Sequence, residues 1–465
     1  MIFTLFFCFV IGINCYRTID RHSYRISNVA VSHALTDSDF IENVSKGLQD
    51  RFFEIDKRTK RTMDKILKLY ENEKIDASAF HGVNGYGHGD IGREKLDNIV
   101  AKLMGAEAAL VRLQLFSGTH AISSALFGSL RPGNTFLGIS GHPYDTLEEV
   151  IGQRPGSQTG SLVGSLLDWN ILYKEIELKR SSNNTNLSSI QFDLEAIDKV
   201  LSQDETIKLL HIQRSCGYQW RPSIPIAEIE RLCNHIESKY KSKGRKMIIF
   251  VDNCYGELVE DQEPCHVGAD LVAGSLIKNL GGTLAPCGGY IAGKKELVDA
   301  ATVHLSAPGV DGGATFNQYR YLFQGLFMAP AIVGESLKGA ELVAEVMQNK
   351  FGFPCNPPPG SHRTDIIQAV QLGSRQKLIA FCESVQKKSP VGSYIRPVPG
   401  LSPGYGDEVI FADGTFIDGS TLELSADGPL REPFVAFTQG CTHWTHWALV
   451  LEETLRNKKF LEGLS

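Results

Sequence analysis

The sequence predicts an α/β protein built on a mainly parallel sheet, and three observations support this fold class. Short apolar runs alternate with amphipathic segments between residues 93 and 325, which is the rhythm of βαβ units. The runs end in turns rich in glycine and polar residues, as buried strands do. The chain has 465 residues, 42% of them hydrophobic, so it can bury a large core. The predicted strands are residues 108–114, 135–139, 208–212, 247–251 and 271–275.

The segments that precede the sheet are predicted to be helical. Residues 38–72 alternate charged and apolar side chains at helical spacing, which predicts one long amphipathic helix. A glycine-rich loop follows at residues 81–92. Residues 94–104 then place their apolar side chains on one face, and Gly105 is suited to end that helix.

A proline-rich segment at residues 354–360 indicates a second boundary between parts of the chain. Strand-like pieces at 409–411 and 421–424 and a terminal helix predict a smaller α+β domain beyond it. Residues 181–189 are polar and low in complexity, which predicts a surface insertion. The predicted organisation is a leader, an N-terminal helix with a glycine-rich arm, a large domain and a small C-terminal domain, at residues 1–36, 37–92, 93–325 and 326–465.

The N-terminus and the composition limit the classes of function that the protein can have. Residues 2–15 are almost wholly apolar and are followed by several arginines, which is typical of a signal or transit-like leader. This predicts the secretory route or an organelle, with the cytoplasm as the alternative. No membrane span is predicted once the leader is removed. The net charge of −6 is spread without a long basic block, which disfavours a nucleic-acid surface. Eight cysteines outside the leader show no CxxC pair and are predicted to be free thiols.

Two groups that suit one cofactor end neighbouring predicted strands. Asp252 closes the apolar run 247–251, and Lys278 lies in a small-residue turn after the run 271–275. Open α/β sheets place ligands at this carboxyl edge. A carboxylate and an amine there can hold the two ends of pyridoxal phosphate, because the Asp keeps the ring nitrogen protonated and the Lys forms a Schiff base. The alternative is a structural Asp–Lys ion pair.

A phosphate site and an aromatic side chain favour the cofactor. Ser117 can cap the helix that follows it, which leaves the amides of Gly118 and Thr119 free to bind an anion. Ser275, three residues before Lys278, adds a hydroxyl. Tyr144 follows another predicted strand and can stack on a pyridine ring or act as an acid–base phenol.

Two other motifs do not predict sites. Residues 87–92 match GxGxxG, but no buried strand precedes them, so a dinucleotide site is rejected. His443 and His446, or Cys254 and Cys265, lack the ligand spacing of zinc sites, so no metal is predicted.

The glycine-rich loop, the turn at Ser117, Tyr144, Asp252 and Lys278 follow one another along the chain. In this order of motifs the chain resembles fold-type I pyridoxal-phosphate enzymes of the cystathionine and methionine γ-lyase group. It is most similar to a divergent branch, the aluminium resistance or methionine γ-lyase-like family. The resemblance extends from about residue 40 to the C-terminus, and its motifs are specific in combination. They lie at residues 89–93, 117–121, 213–218, 251–257, 275–278, 306–309 and 425–431.

The resemblance implies a role for each matching residue. Lys278 would carry the cofactor and move the substrate Cα proton, Asp252 would pair with the ring nitrogen, and Tyr144 would stack on the ring. The phosphate would be held by Gly118, Thr119 and Ser275. In this group a Tyr and an Arg from a neighbouring subunit also reach the phosphate, which implies a homodimer or homotetramer. Tyr86 fits the first, but His88 stands in place of the Arg. Arg431, with Arg396 as a reserve, is the candidate for the substrate carboxylate.

The predicted function is a pyridoxal-phosphate-dependent carbon–sulfur lyase that acts on a sulfur amino acid. Methionine, cystathionine and cysteine conjugates are all candidate substrates, and β- and γ-elimination both stay open. The same fold and cofactor also serve aldolases and transaminases, which are therefore alternatives. A non-catalytic protein of this fold with a stress-related role is a third reading, and the presence of Asp252, Ser275 and Lys278 together argues against it.

Overall fold

Two β-sheets organise the protein. The computed structural model describes residues 36–156, 159–180, 190–310 and 318–463, and Asp37–Ser465 forms one compact unit. The strands are β1 Ala108–Arg112, β2 Thr135–Gly138, β3 Leu172–Glu175, β4 Lys179–Arg180, β5 Ile190–Gln191, β6 Ile207–Gln213, β7 Ile248–Asp252, β8 Leu271–Ser275, β9 Gly289–Gly293, β10 Cys355–Asn356, β11 Gln368–Gln371, β12 Val409–Ala412, β13 Ser425–Pro429 and β14 Val435–Gln439. The helices are α1 Asp37–Gly47, α2 Gln49–Asn72, α3 Ile91–Met104, α4 Gly118–Ser129, α5 Asp145–Ile151, α6 Leu194–Gln203, α7 Ile226–Lys239, α8 Lys295–Leu305, α9 Tyr319–Glu345, α10 Arg375–Lys387, α11 Thr445–Arg456 and α12 Lys458–Leu461.

The larger sheet has the strand order β1-β9-β8-β7-β6-β2-β3. Only β9 runs antiparallel to its neighbours, and the other pairings are parallel. This confirms the mainly parallel α/β fold that the sequence predicts. In register, Gln213 pairs with Asp252, and Asp252 pairs with Ala273. The carboxyl ends of β6, β7 and β8 therefore meet at one edge.

Strand alternation gives this sheet two apolar faces. Phe250 and Leu271 belong to one buried cluster, and Val251 and Val272 belong to another. Successive side chains of a strand point to opposite faces, so these runs are buried on both sides. Because both faces are covered, the strands read as continuous apolar runs, which is why the sequence predicts them closely.

The smaller sheet is wholly antiparallel, with the order β10-β11-β14-β13-β12. The predicted strand at 409–411 is confirmed as β12. The predicted strand at 421–424 is wrong, since those residues form bends and pairing begins at Ser425. Leu422 and Leu424 are fully buried there, so burial rather than strand pairing explains the apolar pattern.

The N-terminal helical region also differs from its prediction. Residues 38–72 form two helices rather than one, because the chain turns at Leu48 (φ −94°, ψ 0°) after Gly47, a poor helix former. The helix at 94–104 is confirmed within α3, and Gly105 ends it with φ 72°. The predicted leader, apart from Thr36, and the predicted insertion at 181–189 lie outside the described residues. None of the described helices combines the length and apolarity needed to cross a bilayer.

Candidate active site

A cavity of about 420 Å³ opens at the carboxyl edge of the larger sheet. Its floor comes from the ends of β6, β7 and β8 and from the first turns of α4 and α5. Its other wall comes from the smaller sheet and the loops around it. All six residues predicted to surround the cofactor from within one subunit line this cavity: Gly118, Thr119, Tyr144, Asp252, Ser275 and Lys278.

Asp252 is the last residue of β7 and is 9% exposed. Burial raises the pKa of this carboxyl group, while the Cys254 amide and the nearby Lys278 act in the opposite direction. The Cys254 N–H donates to Asp252 Oδ1 over 3.1 Å. A carboxylate for which burial outweighs the groups that stabilise its charge is suited to a further cationic partner such as a protonated ring nitrogen.

Lys278 follows β8 and is half-buried. Its Nζ lies 3.5 Å from the centroid of the Tyr255 ring. Within the described ranges, no ion pair of 4 Å or less joins the Lys278 amine to the Asp252 carboxylate. The two residues therefore occupy the same cavity as separate groups, which disfavours the alternative of a simple structural ion pair.

The start of α4 has the form predicted for a phosphate site. Ser117 caps the helix, and its hydroxyl oxygen accepts a hydrogen bond from the His120 N–H. A side chain on Gly118 would lie 3.1 Å from Ser275 Cβ and 3.2 Å from Cys254 Sγ. Only glycine leaves this turn open towards Ser275, so the residues present fit an anionic group held by backbone amides.

Tyr144 stands at the entrance to α5 and links both walls of the cavity. Its N–H donates to Gln213 Oε1 over 2.6 Å, and its hydroxyl oxygen lies 2.7 Å from that of Tyr405. The rings of Tyr144 and Tyr218 are tilted at 66° with centroids 5.4 Å apart. Burial raises the pKa of Tyr144 well above its ordinary value, so the phenol is neutral near physiological pH.

Among the other side chains that line the cavity are four polar ones that the sequence did not single out as site residues: Tyr218, Tyr255, Tyr405 and Asp427. Asp427 lies in β13 and is 3% exposed. Burial raises its pKa to about 6, although a hydrogen bond of 2.6 Å from the Ser420 hydroxyl acts to lower it. Three of the four lie inside motifs that carry the family resemblance, which was the available signal. For Tyr405 the sequence offers no such signal.

Arg431 lies outside the cavity lining. It follows the end of β13 in a turn, and its guanidinium pairs with Asp407 while remaining about half exposed. The reserve candidate, Arg396, pairs with Glu383 at the surface. The predicted contact between Arg431 and a substrate carboxylate therefore stays a prediction, and it would require the Arg431 guanidinium to leave Asp407.

Tyr86 and His88 also lie outside the cavity lining. Their rings stack with centroids 5.8 Å apart, and Tyr86 is 67% exposed. That these two residues contact the cofactor phosphate in a neighbouring subunit stays a prediction.

Fold and cavity together define a class of protein. A mainly parallel seven-stranded sheet, with a lysine and an aspartate at its carboxyl edge and a smaller antiparallel sheet beside it, is the architecture of fold-type I pyridoxal-phosphate enzymes. The chain belongs to the methionine gamma-lyase family, whose pattern it matches over residues 37–459.

Individual relatives agree with this assignment. An uncharacterized Bacillus subtilis protein, YnbB, is 44% identical over 395 residues, which are 84% of this chain and 89% of the relative. A Clostridium novyi protein described as a carbon-sulfur lyase involved in aluminium resistance is 41% identical, with a TM-score of 0.82 over 90% of this chain and 95% of that one. A Clostridium acetobutylicum protein, provisionally described as a cystathionine beta-lyase involved in aluminium resistance, is 41% identical, with a TM-score of 0.83 over 91% and 95%.

Proposed function

We propose that this protein is a pyridoxal-phosphate-dependent carbon–sulfur lyase that acts on a sulfur-containing amino acid. The observation that carries the proposal is the placement of Lys278 and Asp252 in one cavity with the open turn at Gly118. Membership of the methionine gamma-lyase family supports it, as do the lyase descriptions of the two clostridial relatives.

The residues present fit the cofactor at each of its ends. Asp252 would pair with the ring nitrogen, and the first turn of α4, together with the Ser275 hydroxyl, would hold the phosphate. Tyr144 would lie against the ring. When bound, pyridoxal phosphate supplies an electron sink that makes the substrate Cα–H acidic.

The chain's own groups then handle protons and exclude water. Lys278 would accept the proton from the substrate Cα, because its amine is the basic group that lines the cavity within the described residues. The paired hydroxyls of Tyr144 and Tyr405 can orient the substrate or return a proton to the departing sulfur. Phe411 and Phe437 line the wall opposite and reduce access of water to the reacting atoms.

Cofactor binding is the first test. The purified protein is expected to take up pyridoxal phosphate with a visible absorbance band, and borohydride reduction followed by peptide mapping should place the label on Lys278. Lys278→Ala should lose the band and at least about 10²–10⁴-fold of the turnover, the range for removing a general base. A wild-type protein that takes up no pyridoxal phosphate would refute the proposal.

A product assay tests the reaction class. Methionine, cystathionine and a cysteine conjugate are each incubated with the loaded enzyme, and 2-oxo acid and thiol are measured separately. Equal amounts of thiol and oxo acid are expected from at least one substrate. Oxo acid without thiol would instead indicate transamination, and an aldehyde product would indicate an aldolase.

A further inference from the structure

Tyr255 has an unusual backbone conformation beside the cavity. It lies three residues after Asp252, in the turn that follows β7, with φ 71°. A bulky aromatic residue rarely occupies this left-handed region, and such outliers persist only where the surrounding structure holds them. The position therefore calls for an explanation in terms of what the side chain does.

The Tyr255 ring forms a platform for the amine of Lys278. Nζ lies 3.5 Å from the ring centroid, well within the distance for a cation–π contact. The ring itself is half-buried and lines the same cavity. We propose that Tyr255 is a positioning residue, which holds the Lys278 amine where it captures pyridoxal phosphate and later meets the substrate Cα. This inference rests on the proposed function.

Asn279 ties the two turns together. It follows Lys278 directly and is fully buried. Its Nδ2 donates to the carbonyl oxygen of Tyr255 over 3.0 Å and to that of Glu257 over 2.8 Å. The Ile366 N–H also donates to the Tyr255 carbonyl, over 3.3 Å. The left-handed backbone is therefore held from two sides, and the ring and the lysine belong to one connected unit.

This arrangement links both ends of the proposed cofactor site. Asp252 and Tyr255 belong to the same short segment, while Lys278 and Asn279 belong to the turn after β8. A shift of either turn would move the amine relative to the carboxylate. A misplacement of about 1 Å between reacting groups costs about 10²-fold in rate, so this connection is expected to matter for capture and turnover.

The test is the rate at which cofactor-free protein takes up pyridoxal phosphate, followed by visible absorbance. Tyr255→Gly and Tyr255→Leu both remove the ring, and glycine also accepts φ 71° without strain. Both variants are expected to capture the cofactor at least about 10-fold more slowly, and Tyr255→Phe to stay within about 2-fold of wild type. The matched control is Tyr240→Leu, which removes a tyrosine from beneath Arg245 (5.6 Å to the ring) and lies outside the cavity lining.

A double-mutant cycle shows whether the ring acts through the lysine. Tyr255→Gly is expected to weaken equilibrium binding of pyridoxal phosphate in the wild-type background and to leave it unchanged in the Lys278→Ala background. An equal loss in both backgrounds, or wild-type capture by the glycine variant, would overturn the inference. A loss in the leucine variant alone would indicate backbone disturbance and would also overturn it. Failure of the proposed function looks different, since the wild-type protein itself would then take up no cofactor.

Discussion

The two walls of the cavity are built in different ways. The wall formed by the larger sheet places Asp252, Ser275 and Lys278 at or just after the ends of two adjacent parallel strands. The opposite wall brings Tyr405 from a loop and Asp427 from β13 across to Tyr144. The first wall depends on short local segments, while the second depends on how the smaller sheet packs. The comparison teaches that strand ends position the residues proposed for the cofactor, whereas tertiary packing positions the residues of the opposite wall.

Asp252→Asn is expected to have the largest effect among the substitutions that test the two walls. Loss of a charged hydrogen bond of about 1.5–3 kcal/mol should weaken pyridoxal-phosphate binding by about 10–100-fold. Burial raises the pKa of Asp252 in the folded protein. Ionisation of this carboxyl group therefore lowers the stability of the fold as pH rises from the ordinary pKa of an aspartate through the raised pKa. The cofactor-free variant should therefore melt at or above the wild-type temperature at neutral pH.

Titration of the cofactor by absorbance and a melting curve of the cofactor-free protein check this prediction. Asp427→Asn on the other wall is the matched control, and it should leave cofactor affinity within a few-fold of wild type. Unchanged affinity in Asp252→Asn would show that this carboxylate does not face the ring.

Asp427→Asn should change the pH dependence of stability. The pKa of Asp427 is raised by burial from 3.8 to about 6. Ionisation is therefore unfavourable in the folded protein, and this cost grows between about pH 4 and about pH 6 and is constant above. Relative to wild type, the variant should gain up to roughly 3 kcal/mol across that interval. Melting temperatures across the interval measure it, and a difference that does not vary with pH would contradict the prediction.

Tyr405→Phe should have a smaller effect. It removes one neutral hydrogen bond, the 2.7 Å contact with the Tyr144 hydroxyl, which is worth about 1 kcal/mol or about 5-fold in kcat/KM. Tyr394→Phe provides a matched control, because Tyr394 is 90% exposed. A loss of about 10²-fold or more would instead assign Tyr405 a direct part in proton transfer.

Arg431→Ala should have the smallest effect. Its ion pair with Asp407 is about half exposed, and exposed pairs contribute about 0–1 kcal/mol. KM should stay within about 2-fold of wild type, as it should for Arg396→Ala. A rise in KM of about 10-fold or more for Arg431→Ala alone would show that this side chain does reach the substrate carboxylate.

Much of the fold and of the proposed cofactor site could be predicted from the sequence. The five predicted strands of the larger sheet all occur, because a strand that is buried on both faces has a short continuous run of apolar residues in its sequence. Ser117 caps α4 as predicted, since capping depends on residues within one turn. The predicted lysine and aspartate line one cavity, because strand ends of a parallel sheet share an edge.

Other features depend on contacts between segments far apart in the chain. Tyr405 meets Tyr144 across 261 positions of sequence, and no local pattern encodes that distance. Tyr255 lies three residues from Asp252, yet its role depends on a turn held by Asn279 from another strand end. Arg431 was proposed from the family resemblance, and only the structure shows that it follows β13 and pairs with Asp407. The sequence by itself therefore determined five of the seven described strands of the larger sheet, the helix cap and the Asp and Lys at the carboxyl edge. Only the tertiary structure decided which side chains face them, because packing and not periodicity sets those contacts.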